Sequence, residues 1–175
     1  EALAIWREAG DRPGVGVGLG ALGLVALERG DYAVARDHLA EALAIWRQLG
    51  IKTLIAESLA RLAMVAGAQG HAARAARLFG AAQALYGAAG GGVSPVERGT
   101  YERQLAAART QLDEGAWSAA WAEGRAMPLE QAVAYALEPR GPEQAEAAPW
   151  QNTSARLITQ GGEARRLVAE GLADG

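Results

Sequence analysis

Apolar residues recur along the first ninety positions at helical spacing, and small turn signals interrupt them at even intervals. "EALAIWREAG" places Leu3 and Trp6 on one stripe and stops at Gly10-Asp11. The pattern predicts a first helix A over about 14–29, a turn at Gly30-Asp31, and a helix B over about 32–49. A second pair follows over about 52–69 and from the turn at Gly70 to about 88, and "KTLIAESLARLA" within it is plainly amphipathic. After the break "AAGGGVSP", Ser94-Pro95-Val96-Glu97 reads as a capping box with proline at the first helical position. The helix behind it should carry Tyr101, Leu105, Ala108 and Leu112 on one stripe and run to about 113, with two short helices after it, "GAWSAAWAEGR" and "PLEQAVAYALE".

The pairs are copies of one another. Residues 1–10 and 41–50 agree at eight of ten positions at an offset of 40. Leu19/Leu59, Leu22/Leu62, Val25/Val65, Ala26/Ala66, Gly30/Gly70, Ala33/Ala73 and Ala35/Ala75 continue the match. A two-helix period of this length is the signature of a helical solenoid, in which each hairpin buries its apolar face only against its neighbours. Residues 1–9 are then the last helix of a preceding unit. A chain that opens at Glu1 within that helix is expected to be a piece of something longer.

The register also answers a chemical question. Gly18-Leu19-Gly20-Ala21-Leu22-Gly23 spells the G-x-G-x-x-G of dinucleotide-binding loops. That chemistry needs a strand before the glycines and a helix opening at them, so that free amides meet a pyrophosphate. Here a helix precedes, and the offset of 40 aligns the glycines with an uninterrupted helix, so a dinucleotide-dependent enzyme is only a remote alternative. Glycines 14, 16, 18 and 20 should each weaken a helix by up to about 1 kcal/mol relative to alanine, so this helix is expected to start late or fray.

Leu22-Gly23, Gly30-Asp31-Tyr32, Ala35, Leu39 and Ala42, with Leu62-Ala63, Gly70, Ala75, Phe79 and Ala82 in the second unit, resemble the tetratricopeptide repeat in its longer form. The resemblance implies an all-α, tetratricopeptide-like right-handed helical-hairpin solenoid with C-terminal capping helices. Gly23/Ala63 and Ala35/Ala75 would let paired helices approach, and Leu39/Phe79 would fill the space between hairpins. Residues 1–92 would be the repeats, with a half unit at 1–10 and units at about 11–50 and 51–90, and 93–138 the capping helices. Trp6 and Trp46, at equivalent positions, read as packing residues; Trp117 and Trp121, four apart, should close the open end, with an aromatic ligand box as the sharper alternative.

Residues 139–156 hold Pro139, Pro142 and Pro149 among Gln, Glu and Ala and read as linker. The run from "ARAARLFGAAQALYGAAG" to "AVAYALE" resembles the end of the repeat region in large bacterial regulators that join a signal-transduction ATPase, tetratricopeptide-type repeats and a LuxR-type helix-turn-helix. Residues 157–175, helical at about 162–171, resemble a truncated first helix of that DNA-binding domain, and Leu157 to Glu163 keep fragments of its opening motif. The resemblance implies a protein-interaction or sensor scaffold in transcription regulation and signal transduction; a free-standing adaptor is the alternative.

Composition narrows the chemistry. A net charge of -3 argues against a surface devoted to nucleic acid, so DNA enters only through the missing part of the helix-turn-helix. The one lysine, Lys52, follows Ile51 rather than a glycine, which places no P-loop on this chain. Without cysteine there is no thiolate, disulfide or Cys-based metal site. His38 and His71 sit at unrelated repeat positions and read as solvated surface rather than ligands. No cofactor is expected, no apolar run is long enough for a membrane span, and a cytoplasmic location is expected. What remains is a binding face: helix A residues Val17, Leu24, Glu28, Glu57, Arg61 and Met64 would line a concave groove for a peptide, a partner helix or neighbouring domains of an intact regulator. Glu57 and Arg61 read as an exposed i,i+4 pair. An uncovered solenoid end could also drive self-association.

Overall fold

The computed structural model describes residues 2–138. Within them the chain is all-helical, in the order α1 (Ala2–Glu8), α2 (Arg12–Arg29), α3 (Tyr32–Leu49), α4 (Lys52–Ala68), α5 (Ala72–Ala88), α6 (Arg98–Arg109), α7 (Glu114–Ala126) and α8 (Leu129–Leu137). The expected linker at 139–156 and the helix-turn-helix segment at 157–175 lie outside the described residues.

Five glycines set the architecture. Gly10, Gly30, Gly50, Gly70 and Gly90 all have φ between +66° and +82°, the left-handed region that only glycine adopts without penalty. Each closes the same turn: the N–H of the following residue reaches back to a carbonyl five positions before that residue. Asp11 donates to Trp6 O, Asp31 to Ala26 O, Ile51 to Trp46 O, His71 to Ala66 O and Gly91 to Tyr86 O, at 2.9 to 3.1 Å. This Schellman geometry satisfies the orphan carbonyls at each helix end. Because the turn recurs every twenty residues, α2–α3 and α4–α5 are equivalent hairpins, and α1 stands where α3 stands one unit later.

The core runs along the stack. Leu19, Leu39, Leu43, Ile55, Leu59, Leu78 and Phe79 are fully buried, interleaved with Ala35, Ala42, Ala56, Ala63, Ala75 and Ala82. The small positions do what the repeat register requires of them. A methyl group at Gly23 would lie 2.6 Å from Leu39 Cγ, so α2 and α3 touch at a distance that no larger residue allows. The result is a tetratricopeptide-like helical solenoid.

One expectation fails. Rather than starting late or fraying, α2 runs unbroken from Arg12 to Arg29, begun by an Asp11 carboxylate that accepts from Gly14 N–H at 2.9 Å. Its glycines are occupied from outside. A methyl at Gly16 would meet Trp46 at 2.5 Å, one at Gly18 or Gly14 would meet Trp6 at 2.9 Å, and one at Gly20 would meet Arg61 Nη1 at 2.5 Å. Tertiary contact therefore overrides propensity, since a glycine costs about 1 kcal/mol whereas burying a Leu or Trp side chain contributes about 2–3 kcal/mol.

The array closes differently from a regular third hairpin. α6 packs on α4 while α7 packs on α5. The α5–α7 crossing is the tightest in the chain: a methyl at Gly80 would lie 2.3 Å from Trp121 O, and one at Gly124 would lie 1.9 Å from Arg77 O. α8 lies against α3, α4 and α5. Arg74 of α5 donates to the Tyr135 and Ala136 carbonyls at 2.7 and 3.1 Å, and its guanidinium lies 4.7 Å from the Tyr135 ring centroid. A buried cation thus caps the negative end of α8. At the other end of α8, Arg47 of α3 and Glu130 pair at 2.6 Å on the surface.

These close approaches predict opposite outcomes for two glycine-to-alanine changes. Gly124→Ala, aimed at a backbone carbonyl that cannot move aside, should lower stability by about 2 kcal/mol. Gly87→Ala, in open space on α5, should raise it by about 0.5 kcal/mol. Urea denaturation of both variants checks the pair.

Candidate interaction face

The first helices of the two hairpins, α2 and α4, carry the residues expected to form a groove. On α2, Val17 is 59 % exposed, Glu28 is exposed and Leu24 is half-buried, so this helix offers an open, partly apolar face. On α4 the face is closed. Met64, expected to line the groove, is only 2 % exposed and belongs to the core. Glu57 and Arg61 are not the exposed pair the i,i+4 spacing suggests; both are mostly buried.

Arg61 explains the closure. Its guanidinium lies over Gly20 of α2, pairs with Glu57 on its own helix, and reaches Glu97 through Nη2–Oε1 at 2.5 Å and Nε–Oε2 at 3.4 Å. One cation therefore ties α2, α4 and the start of α6 together. Glu97 is spent in this contact, so the expected capping box does not form: its side chain makes no cap hydrogen bond, Ser94 to Glu97 are a turn, and α6 begins at Arg98. A forked guanidinium–carboxylate pair outweighs a local cap because charge-assisted bonds are about twice as strong as neutral ones.

Two carboxylates on one guanidinium leave an excess negative charge in a confined space. Burial raises the Glu57 carboxyl above the ordinary range, Arg61 opposes that, and Glu97 adds to it. Burial is also the first cause that pushes the Tyr86 hydroxyl upward, with Glu57 contributing next, and it alone raises Tyr101. Tyr101 packs edge-on against Phe79 with ring centroids 5.3 Å apart.

A second concavity was not anticipated as a groove. α7 is drawn onto α5 at Gly80 and Gly124 and diverges from α6, leaving an open cleft of about 580 Å³ lined by Gln83, Glu102, Leu105, Arg109, Trp117 and Trp121 among others. Trp117 and Trp121 share a face, as their spacing implies, with centroids 6.1 Å apart. Trp117 is buried and Trp121 half-buried, so they pack the end of the array and wall the cleft as well. Arg109 and Glu114 pair across its rim at 2.5 Å.

Gly18 to Gly23 lie inside α2, where their N–H groups belong to a helix rather than to a loop opening one. His38 on α3 and His71 in the turn before α5 are half-buried rather than the solvated surface residues expected. Among the described residues no three His, Cys, Asp or Glu side chains are grouped to hold a metal ion, and no helix is long and apolar enough to cross a membrane.

Comparison with known families agrees with the fold. The profile of the tetratricopeptide repeat matches residues 1–48, which span α1, α2 and most of α3. The comparisons with curated proteins and with solved structures return no match.

The charge triad yields a pH prediction with a definite sign. The folded pKa of Glu57 lies above its unfolded value, so stability from this group is full below the unfolded pKa and is lost as pH rises through the folded one. Glu57→Gln should therefore match or exceed the parent in stability at neutral pH and flatten the profile above the usual glutamate range. Arg61→Met, which strands two facing carboxylates, should cost about 2 kcal/mol at neutral pH and less in acid. Denaturation midpoints measured from pH 4 to 8 test both signs.

Proposed function

We propose that this chain is a non-enzymatic protein-interaction scaffold, and that it serves as the sensor segment of a bacterial transcriptional regulator with signal-transduction ATPase architecture. Tetratricopeptide repeats generally mediate protein–protein contact, and the repeat profile at residues 1–48 supports that class. The finer assignment rests on the resemblance of residues 1–138 to the end of such a repeat region and of 157–175 to the opening of a LuxR-type helix-turn-helix. In that setting the scaffold receives a protein or peptide and biases the ATPase or DNA-binding state.

The observation that carries the reading is the open face of α2. Val17, Leu24 and Glu28 stand on one side of a helix whose other sides are held by Trp6, Trp46, Leu39 and Arg61. A rigid helix with one apolar and acidic stripe suits a partner helix or extended peptide that brings aliphatic side chains and a basic residue. The closed α4 face borders this stripe and limits it to a narrow contact.

Site-specific photocrosslinking tests the assignment. A photoreactive residue at Val17 or Leu24 should capture a discrete protein partner, or a neighbouring domain of the intact regulator, whereas one at Val34 on α3 should not. Equal labelling from all three positions would contradict the reading.

A further inference from the structure

Arg61 does not exhaust the two carboxylates around it. It engages both oxygens of Glu97, through Nη2 and Nε, and meets Glu57 through Oε1. Glu57 Oε2 accepts no hydrogen bond among the described residues, and each carboxylate oxygen offers two lone pairs, so acceptor capacity is left over. The Glu57 and Glu97 side chains are 27 % and 24 % exposed against 11 % for Arg61. The cation is the deeper group, and the surplus negative charge lies nearer solvent.

A separate observation comes from α5. Tyr86 is only 8 % exposed, and its hydroxyl makes no hydrogen bond among the described residues, although buried hydroxyls are nearly always paired. The charges of Glu57, Arg61 and Glu97 all act on this hydroxyl, and Tyr101 of α6 does so as well. A polar atom carried by a different helix is therefore aimed at the two carboxylates without bonding to either. The cluster also has a neighbour of known character. Arg61 lies over Gly20, one turn from Val17 and one from Leu24, so the cluster borders the open stripe of α2.

We infer that Glu57, Glu97 and the Tyr86 hydroxyl form a recognition subsite for the ammonium group of a lysine, carried by the partner that lies on the α2 stripe. An ammonium fits better than a guanidinium because the free acceptors come singly from α4, α5 and the turn before α6. A planar fork needs paired oxygens, and Arg61 already takes the pair on Glu97. Val17 and Leu24 offer the aliphatic surface on which a lysine stem packs. In naming a partner's side chain as the ligand, this deepens the function proposed above and rests on it; the affinity of the subsite for an ammonium does not.

Titration of the full chain with n-butylammonium, the stem and head of a lysine, tests the subsite through NMR signals of the four tyrosine rings. The Tyr86 signal should move and saturate while Tyr32 and Tyr135 stay in place, and n-butylguanidinium should bind more weakly. Glu57→Gln, which keeps the parent's stability, should weaken butylammonium binding about tenfold, whereas Val17→Ala should leave it unchanged. No saturable shift at Tyr86, equal shifts at all four rings, or an undiminished response in Glu57→Gln would overturn the inference. Saturation at Tyr86 without any partner captured from Val17 or Leu24 would instead remove the stripe as the carrier of the lysine and leave the ammonium subsite standing.

Discussion

Close approach at residues without a side chain governs this molecule. α2 is held because Trp46, Arg61 and Leu39 each occupy the space above one of its glycines and Trp6 the space above two, and α7 is held because Gly80 and Gly124 let two backbones meet. Each contact exchanges local helix propensity for buried area, and the area is the larger quantity. With helices set this near one another, the five glycine turns can repeat one hairpin geometry, and the core becomes a continuous stripe of Leu, Ile and Phe between alanines.

The faces available for recognition follow from how those approaches are distributed. On the α2–α4 side, Gly20 admits Arg61, Arg61 recruits Glu57 and Glu97, and the groove over α4 closes. α2 alone keeps an open stripe there. At the far end, the Gly80–Gly124 crossing pulls α7 away from α6 and opens a cleft beside Trp121. At the near end, α1 covers only the start of α2. One packing rule thus produces a closed face, an open stripe, a cleft and an apolar edge.

Much of the fold was legible because it is written twice. The offset of 40 located both hairpins to within a few residues and identified Gly23, Ala35, Leu39 and Phe79 as packing positions. Propensity misled where tertiary partners were invisible: nothing local to Gly16 announces Trp46, thirty positions on. The capping box was misread for the same reason, since Glu97 had a stronger partner in Arg61 at long range. Met64 shares the register of Leu24, but burial depends on which helix lies beside it, and periodicity does not carry that information. Arg74, at the register position of Val34, gave no sign that it would cap α8, because the sequence separation exceeds sixty residues.

Amide hydrogen exchange along α2 tests the central claim most directly. If neighbouring side chains hold this helix, the amides of Gly16 through Gly23 exchange as slowly as those of Ala56 through Ala63 at the equivalent positions of α4. Rapid exchange across the glycine stretch, with α4 protected, would mean that propensity prevails and that the first hairpin is not the rigid element on which the array depends.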